Sequence, residues 1–237
     1  MITIIEGVPG SGKTYFAVFK TVEKLNRIKY TKINIITNIE NFQVNDDRVH
    51  LTTFETQEEL FRILNVDYFK ENYTFNYEYN FIIVDECQRY FYKMSNKDVL
   101  FFLQYHRHLN CDIFLITQTM RSLPSEIVFL AESFVEAIPR SFTLKNIFRY
   151  NVRDIATKEV IDRFTLPVKS EIFSMYRSAH IENTDRKNFF HQKIFISIAI
   201  FAAAILLLLY SFYSIFYSKK QEYANKQQNQ TQKQQTK

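Results

Sequence analysis

The chain has 237 residues, 46% of them hydrophobic and 23% charged; it can bury a sizeable core, which excludes a wholly disordered polyelectrolyte. Its formal charge of +5 is uneven: residues 194–237 hold five lysines and one glutamate (+4), leaving 25 basic and 24 acidic side chains (+1) in the first 193, so bulk charge on the main domain does not mark a nucleic-acid footprint. Cys87 and Cys111 show no metal or redox spacing and read as buried free thiols, and 24 Phe with 15 Tyr and no Trp reads as coding bias rather than a base-stacking surface.

The first element, ITIIE (2–6), is a strand, so no signal peptide is expected ahead of the first domain. All three glycines of the chain follow within six positions, at Gly7, Gly10 and Gly12, where average usage of about 7% would spread roughly 16 over this length. The run Gly7-Val8-Pro9-Gly10-Ser11-Gly12-Lys13-Thr14 matches G-x-x-x-x-G-K-[ST], between a strand and KTYFAVFKTVEKLNRI (13–28), which has helical spacing. In this context backbone N–H groups wrap phosphate oxygens and the helix N-terminus adds partial positive charge. Lys13 is the candidate for the β/γ-phosphates of ATP and Thr14 for Mg²⁺; a chance glycine-rich turn is a poor alternative in a chain with no other glycine.

INIITN (33–38) is the next strand, and TQEELFRIL (56–64) is a helix that Thr56 caps, with Glu59 three residues on. The aromatic stretch ENYTFNYEYN (71–80) reads as a packed hairpin rather than a partner-binding loop. FIIVDE (81–86) is an apolar strand ending in two acids. Asp85 is placed to bind Mg²⁺ through water, and Glu86 to orient or activate the water that attacks the γ-phosphate; about 70 residues after a phosphate loop and behind four apolar residues, that reading outweighs the plain one of a solvated strand end. NKDVLFFLQYHRHL (96–109) is helical and DIFLITQ (112–118) a strand that turns polar at Thr117 and Gln118. Ligands bind at the carboxyl ends of such strands, so spacing alone leaves Gln118 evenly between a γ-phosphate sensor and an ordinary strand terminus. Arg107, Arg121 and Arg140 are candidates to complete a neighbouring subunit's site, each with a surface salt bridge as its plainer alternative. From Glu132 onward SFVEAI and FTLKNIFRY look like strands, a hairpin appended to the sheet edge.

ENTDRKNFFHQK is a polar linker, and Ile194–Ser218 then runs 25 residues without a charge. As a helix it would span roughly 37 Å at about 1.5 Å per residue, enough to cross a hydrocarbon core of about 30 Å. Tyr210, Tyr213 and Tyr217 gather toward one end, where amphipathic rings favour the interface. The Gln-rich tail KKQEYANKQQNQTQKQQTK has no apolar face and reads as disordered.

With IIVDECQRYF, HRHLNCDIFLITQ and MYRSAH added to the phosphate loop and the single membrane span, the chain resembles the zonula occludens toxin (Zot) family, which includes filamentous-phage gene I assembly proteins, over about residues 1–216. Arg107, His108, Asp112, Thr117 and Gln118 carry its more specific part. The resemblance implies a role for Gln118, a cytoplasmic ATPase assembling as a homo-oligomeric ring, and partnership with phage coat proteins and an outer-membrane channel during DNA extrusion, with direct contact to single-stranded phage DNA left open. Two positions depart from the pattern: Asn110 stands where a glycine is expected, and about twenty polar residues stand where toxin-active members carry a sizeable domain beyond the membrane.

The expectation is therefore an α/β P-loop NTPase with a mainly parallel sheet flanked by helices, followed by a single transmembrane helix. Its parts are an ATPase domain (1–180), a juxtamembrane linker (181–193), a membrane helix (194–216) and a polar tail (217–237). Flanking charge is tied between Arg186, Lys187 and Lys193 on one side and Lys219, Lys220 and Lys226 on the other. Nucleotide supply places the first domain in the cytoplasm and the anchor in the inner membrane. The expected function is ATP hydrolysis driving filamentous phage assembly and extrusion. The alternatives are a nucleotide-dependent membrane scaffold and, against the short tail, a Zot-like toxin; a soluble nucleotide kinase is disfavoured by the anchor.

Overall fold

The computed structural model describes residues 1–92, 94, 96–139, 146–177, 196–198, 200–211 and 213. Met1–Glu182 form one compact unit and Asn183–Lys237 a second.

In the first unit, β1 (Ile2–Glu6), β2 (Ile33–Thr37), β3 (Val49–Thr53), β4 (Tyr79–Val84), β5 (Cys111–Thr117), β6 (Ser133–Ala137), β7 (Ile147–Arg153) and β8 (Val160–Pro167) join one sheet among the described residues. The order is β3-β2-β4-β5-β1-β6-β7-β8. The pairs from β3 through β6 are parallel, and β7 and β8 extend the edge antiparallel. The expected hairpin beyond Glu132 is thus larger than the sequence suggested: β6 pairs directly with β1, and β8 adds a further strand.

The central strands are mostly apolar because both faces of a parallel sheet are covered, and they are broken by buried polar residues such as Thr3, Asn34, Asn80 and Asp112. Ile2, Ile4, Ile82, Val84, Ile113 and Leu115 face one cluster, over which lie α2 (Gln57–Ile63), α3 (Val66–Phe69), α4 (Gln88–Phe91), α5 (Lys97–Tyr105) and α6 (Ser125–Leu130). Ile5, Ile33, Ile35, Phe81, Ile83, Phe114 and Ile116 face the other, beneath α1 (Lys13–Leu25) and α7 (Ser170–Ser174). This alternation is the two-residue side-chain period of a strand.

Several local expectations find their mechanism here. Thr56 and Glu59 form the full capping box of α2. Asn110 sits in the left-handed region (φ 47°), a conformation Asn tolerates better than most residues. Both cysteines are free and buried. The 71–80 stretch is not a hairpin: Lys70–Thr74 continue α3 as a π-helical turn, and β4 starts only at Tyr79. Tyr73 packs on Phe69 with ring centroids 5.0 Å apart. That contact holds the chain helical where an aromatic-polar alternation read as strand.

In the second unit residues 196–198, 200–211 and 213 are helical. Among the described residues no helix is long and apolar enough to cross a membrane. Residues 194, 195, 199, 212 and 214–216 of the expected span lie outside the described residues, as do the whole 181–193 linker and the 217–237 tail.

Candidate functional site

The phosphate loop leaves the carboxyl end of β1 and closes into α1. Gly7 is packed so tightly that a Cβ would lie 2.6 Å from Ser11 Oγ and 2.8 Å from the Ala137 carbonyl. Gly12 is left-handed at φ 94°, and its Cβ would meet the Phe148 ring at 2.5 Å. The Gly12 carbonyl accepts from Phe16 N–H at 2.9 Å and from the Tyr150 hydroxyl at 2.9 Å. The appended β7 strand therefore braces the loop from the side.

The amino end of α1 is left bare. No side chain caps it and no acid stands in its first turn, whereas side chains of Thr56, Asn65 and Asn96 cap α2, α3 and α5. The first-turn N–H groups have no intrahelical acceptor, so they and the helix dipole offer an anion site. Ser11 Oγ is buried without a hydrogen-bond partner among the described residues. Val8, Pro9 and Gly10 form the exposed tip of the loop. Lys13 is only 7% exposed and donates to the Val8 carbonyl at 3.3 Å. Burial pulls its pKa down, opposed by the charges of Glu86 and Asp85.

Strand β5 lies between β1 and β4, yet the phosphate loop starts α1 where Thr14, in its first turn, has Oγ1 within 2.9 Å of Asp85 Oδ2. Asp85 stands just past the end of β4, where burial raises its pKa against the bonds it accepts from Thr14 and the Glu86 amide. Two hard oxygen donors in contact, one of them a carboxylate, are the set Mg²⁺ takes from protein. The bare helix end, the glycine cradle and this oxygen pair fit a nucleotide triphosphate with its metal.

Glu86 adopts φ 48°, a region that costs an L-residue roughly 1–2 kcal/mol. The kink reverses the chain so that Cys87 N–H reaches the Ile116 carbonyl at 2.8 Å and α4 begins. The Glu86 carboxylate is held by the side-chain amide of Gln88 and by Gln118 Nε2 at 3.3 Å. Phosphate loop, Asp85, Glu86 and Gln118 therefore meet at the carboxyl ends of β1, β4 and β5.

Other residues singled out in the sequence lie apart from this cluster. Arg107 and Asp112 sit at the opposite end of β5: Arg107 pairs with Glu132 at 2.9 Å, and Asp112 pairs with Lys24 and the Met1 amino group. His108 stacks on Tyr105. The ion pairs of Arg107 and Asp112 lie at the amino ends of the strands, away from the phosphate loop. Arg121 follows β5 at the site end, its amide bonded to Thr119 Oγ1 at 3.4 Å. Arg140 lies outside the described residues. A cavity of about 710 Å³ opens between α1 and β8, walled partly by Phe114, Phe164, Lys20 and Lys24, and none of the phosphate-loop residues lines it.

Sequence reasoning missed Asn38, Gln88, Phe148 and Tyr150. Asn38 carried a usable signal, a polar residue at the carboxyl end of an apolar strand, as for Gln118. The other three become visible only once distant segments meet. Met175, Tyr176 and Arg177, from the MYRSAH stretch, come in beside the chain following β2, where Gln43 N–H donates to the Met175 carbonyl at 2.7 Å and Arg177 N–H to the Glu40 carbonyl at 3.0 Å. Burial raises the Tyr176 pKa, and the charges of Tyr15 and Asp85 add to it.

A phosphate loop between β1 and α1, with an acid-tipped strand two places away in an open parallel sheet, defines the P-loop NTPase fold. Within that class the chain belongs to the zonular occludens toxin (Zot) family, whose profile matches residues 1–182. Among solved structures it is similar to the N-terminal domain of zonular occludens toxin from Neisseria meningitidis, at 19% identity over 74% of this chain and 98% of that one, TM-score 0.55. It is also similar to the genome packaging NTPase B204 from Sulfolobus turreted icosahedral virus 2 in complex with ATP-gammaS, at 17% identity over 71% and 98% of the two chains, TM-score 0.51. The DNA-packaging ATPase B204 from Sulfolobus Turreted Icosahedral Virus aligns at 16% identity over 71% and 98%, TM-score 0.51. At these identities the likeness is one of fold. No protein with a curated description matches the sequence.

Proposed function

We propose that the protein is a membrane-anchored P-loop ATPase that binds ATP with Mg²⁺ and hydrolyses it to drive filamentous phage assembly and extrusion across the inner membrane. The observation that carries the reading is the 2.9 Å contact between Thr14 Oγ1 and Asp85 Oδ2, which brings the phosphate loop and the acid-tipped strand to one point. In this reading Gly7 through Thr14 wrap the phosphates with backbone N–H groups, and Lys13 turns from the Val8 carbonyl to the β/γ-oxygens. Thr14 and Asp85 would hold Mg²⁺, which would supply charge neutralisation at the terminal phosphates. Glu86 takes the proton of the attacking water, and Gln118 orients that water.

The uncharged run at 194–218 supports a single membrane span with the first unit in the cytoplasm, where ATP is supplied. The packaging NTPases of like fold and the Zot family membership support a homo-oligomeric ring acting on virion components. Coat proteins and an outer-membrane channel are the partners of this role, which does not require that the protein itself touch the single-stranded phage DNA.

The test is turnover by the full chain in detergent micelles. The wild type is expected to bind and hydrolyse ATP with Mg²⁺, and Glu86→Gln to bind it with turnover reduced about 10²–10⁴-fold, the usual contribution of a positioned base. Failure of the wild type to bind ATP refutes the reading. Equal turnover by the variant removes Glu86 from the chemistry, whereas ATP binding without turnover by the wild type favours the nucleotide-dependent scaffold.

A further inference from the structure

We infer that Asn38 is a positioning residue whose side-chain amide extends the β2–β4 ladder by one step and thereby sets the orientation of the Asp85 carboxylate. The inference rests on the metal role proposed for Asp85. The β2–β4 pairing ends at Thr37 opposite Ile83. Beyond it the main chain of β2 turns away: Ile39 N–H bonds back to Thr37 Oγ1 at 3.1 Å, and Asn41 is left-handed at φ 53°. Asp85 lies past that last pair, immediately before the left-handed Glu86. Without a substitute its backbone on the β2 side would have no ladder partner.

Asn38 is the substitute. Its Oδ1 accepts from Asp85 N–H at 2.7 Å, and its Nδ2 donates to the Asp85 carbonyl at 2.9 Å. A carboxamide has the donor–acceptor pattern of a peptide group, so one side chain takes the place of a neighbouring strand. The second Nδ2 hydrogen goes to the Tyr90 hydroxyl at 3.1 Å, which itself donates to the Glu55 carbonyl at 3.2 Å. This network assigns the amide orientation: reversed, the amide would set donor against donor at Asp85 N–H and acceptor against acceptor at its carbonyl.

The consequence reaches the site through one residue. With the Asp85 backbone clamped on both sides of its Cα, the side chain places Oδ1 on Glu86 N–H at 2.8 Å and Oδ2 on Thr14 Oγ1 at 2.9 Å. Groups that orient a metal's ligands typically cost 10–100-fold in metal affinity when removed.

The experiment is Mg²⁺ titration of a fluorescent ATP analogue bound to the full chain in detergent, with a parallel measurement of analogue binding in EDTA. Asn38→Ala is expected to raise the Mg²⁺ concentration for half-maximal enhancement about tenfold or more while changing metal-free binding less than twofold. Tyr90→Phe, which removes only the outer anchor of the amide, is expected to shift it the same way by a smaller factor, and it decides the matter should Asn38→Ala fail to fold. An unchanged Mg²⁺ midpoint, or an equal loss of metal-free and metal-dependent binding, overturns the positioning role while leaving the proposed site intact. A wild type whose analogue binding ignores Mg²⁺ overturns the metal role of Asp85 and this inference together.

Discussion

Gly12→Ala offers a quantitative test of how the appended hairpin and the phosphate loop fit together. Two costs follow from the structure. Gly12 sits at φ 94°, and holding an L-residue in that left-handed region costs roughly 1–2 kcal/mol. The new methyl would also lie 2.5–2.9 Å from the Cδ1, Cε1 and Cγ atoms of Phe148. Such overpacking typically costs about 1–3 kcal/mol. The sum, about 2–5 kcal/mol, is a large part of the roughly 5–15 kcal/mol that holds a domain folded. At about 2–4 °C per kcal/mol for a domain of 150–250 residues, the melting midpoint should fall about 4–20 °C, read by circular dichroism on the full chain in detergent. The second substitution is Phe148→Leu, which removes ring atoms from the collision and leaves φ unchanged. In the double variant it should recover the steric share, a coupling of about 1–3 kcal/mol in a double-mutant cycle. Effects that add to within about 0.5 kcal/mol would refute the claim that the ring and the loop are in contact.

The remaining predictions concern the same scaffold. Tyr150→Phe deletes the hydroxyl bonded to the Gly12 carbonyl, which keeps its bond from Phe16 N–H; it should cost about 0.5–1.5 kcal/mol in urea unfolding, and no change would mean the brace is not made. Burial opposes ionisation of Asp112, but its hydrogen bonds to Lys24 and the Met1 amino group win and hold the pKa below its ordinary 3.8. The sign follows: a depressed folded pKa adds stability above the unfolded value, and that contribution disappears as pH falls through the folded one. Asp112→Asn should therefore be less stable than wild type near neutral pH, with the gap narrowing as pH falls below the unfolded value of about 3.9 and closing only once the folded wild-type carboxylate protonates at lower pH. A gap independent of pH would refute the ion pairing.

Much of the arrangement was legible before any fold was known, because it follows from local chemistry. Three glycines between an apolar strand and a helical repeat can serve a phosphate loop because main-chain closeness and positive φ exclude most side chains at Gly7 and Gly12. FIIVDE and DIFLITQ read as buried parallel strands because only a sheet covered on both faces tolerates such runs. Thr56 and Glu59 announced a helix start because their partners lie three residues apart. VHLTT carries no clear strand signal because β3 sits at the sheet edge, half solvated, with no apolar run.

What the sequence determined by itself is the identity of the loop, the acid-tipped strand and the uncharged run, since each depends on residues within a few positions of one another. What only tertiary structure decided is which distant residues complete them. β5 separates β1 from β4, so the meeting of Thr14 with Asp85 depends on where the phosphate loop starts α1 rather than on strand adjacency. Asn38 reaches Asp85 across 47 positions and Tyr150 reaches Gly12 across 138. Arg107 and Asp112 share a stretch with Gln118 yet stand at the other end of β5, because a seven-residue strand carries its two ends to opposite sides of the domain. Asn38 at least marks itself as a polar residue ending an apolar strand, but the partner in each such contact leaves no local signature: a hydrogen bond constrains the positions of two groups in space and says nothing of their separation along the chain.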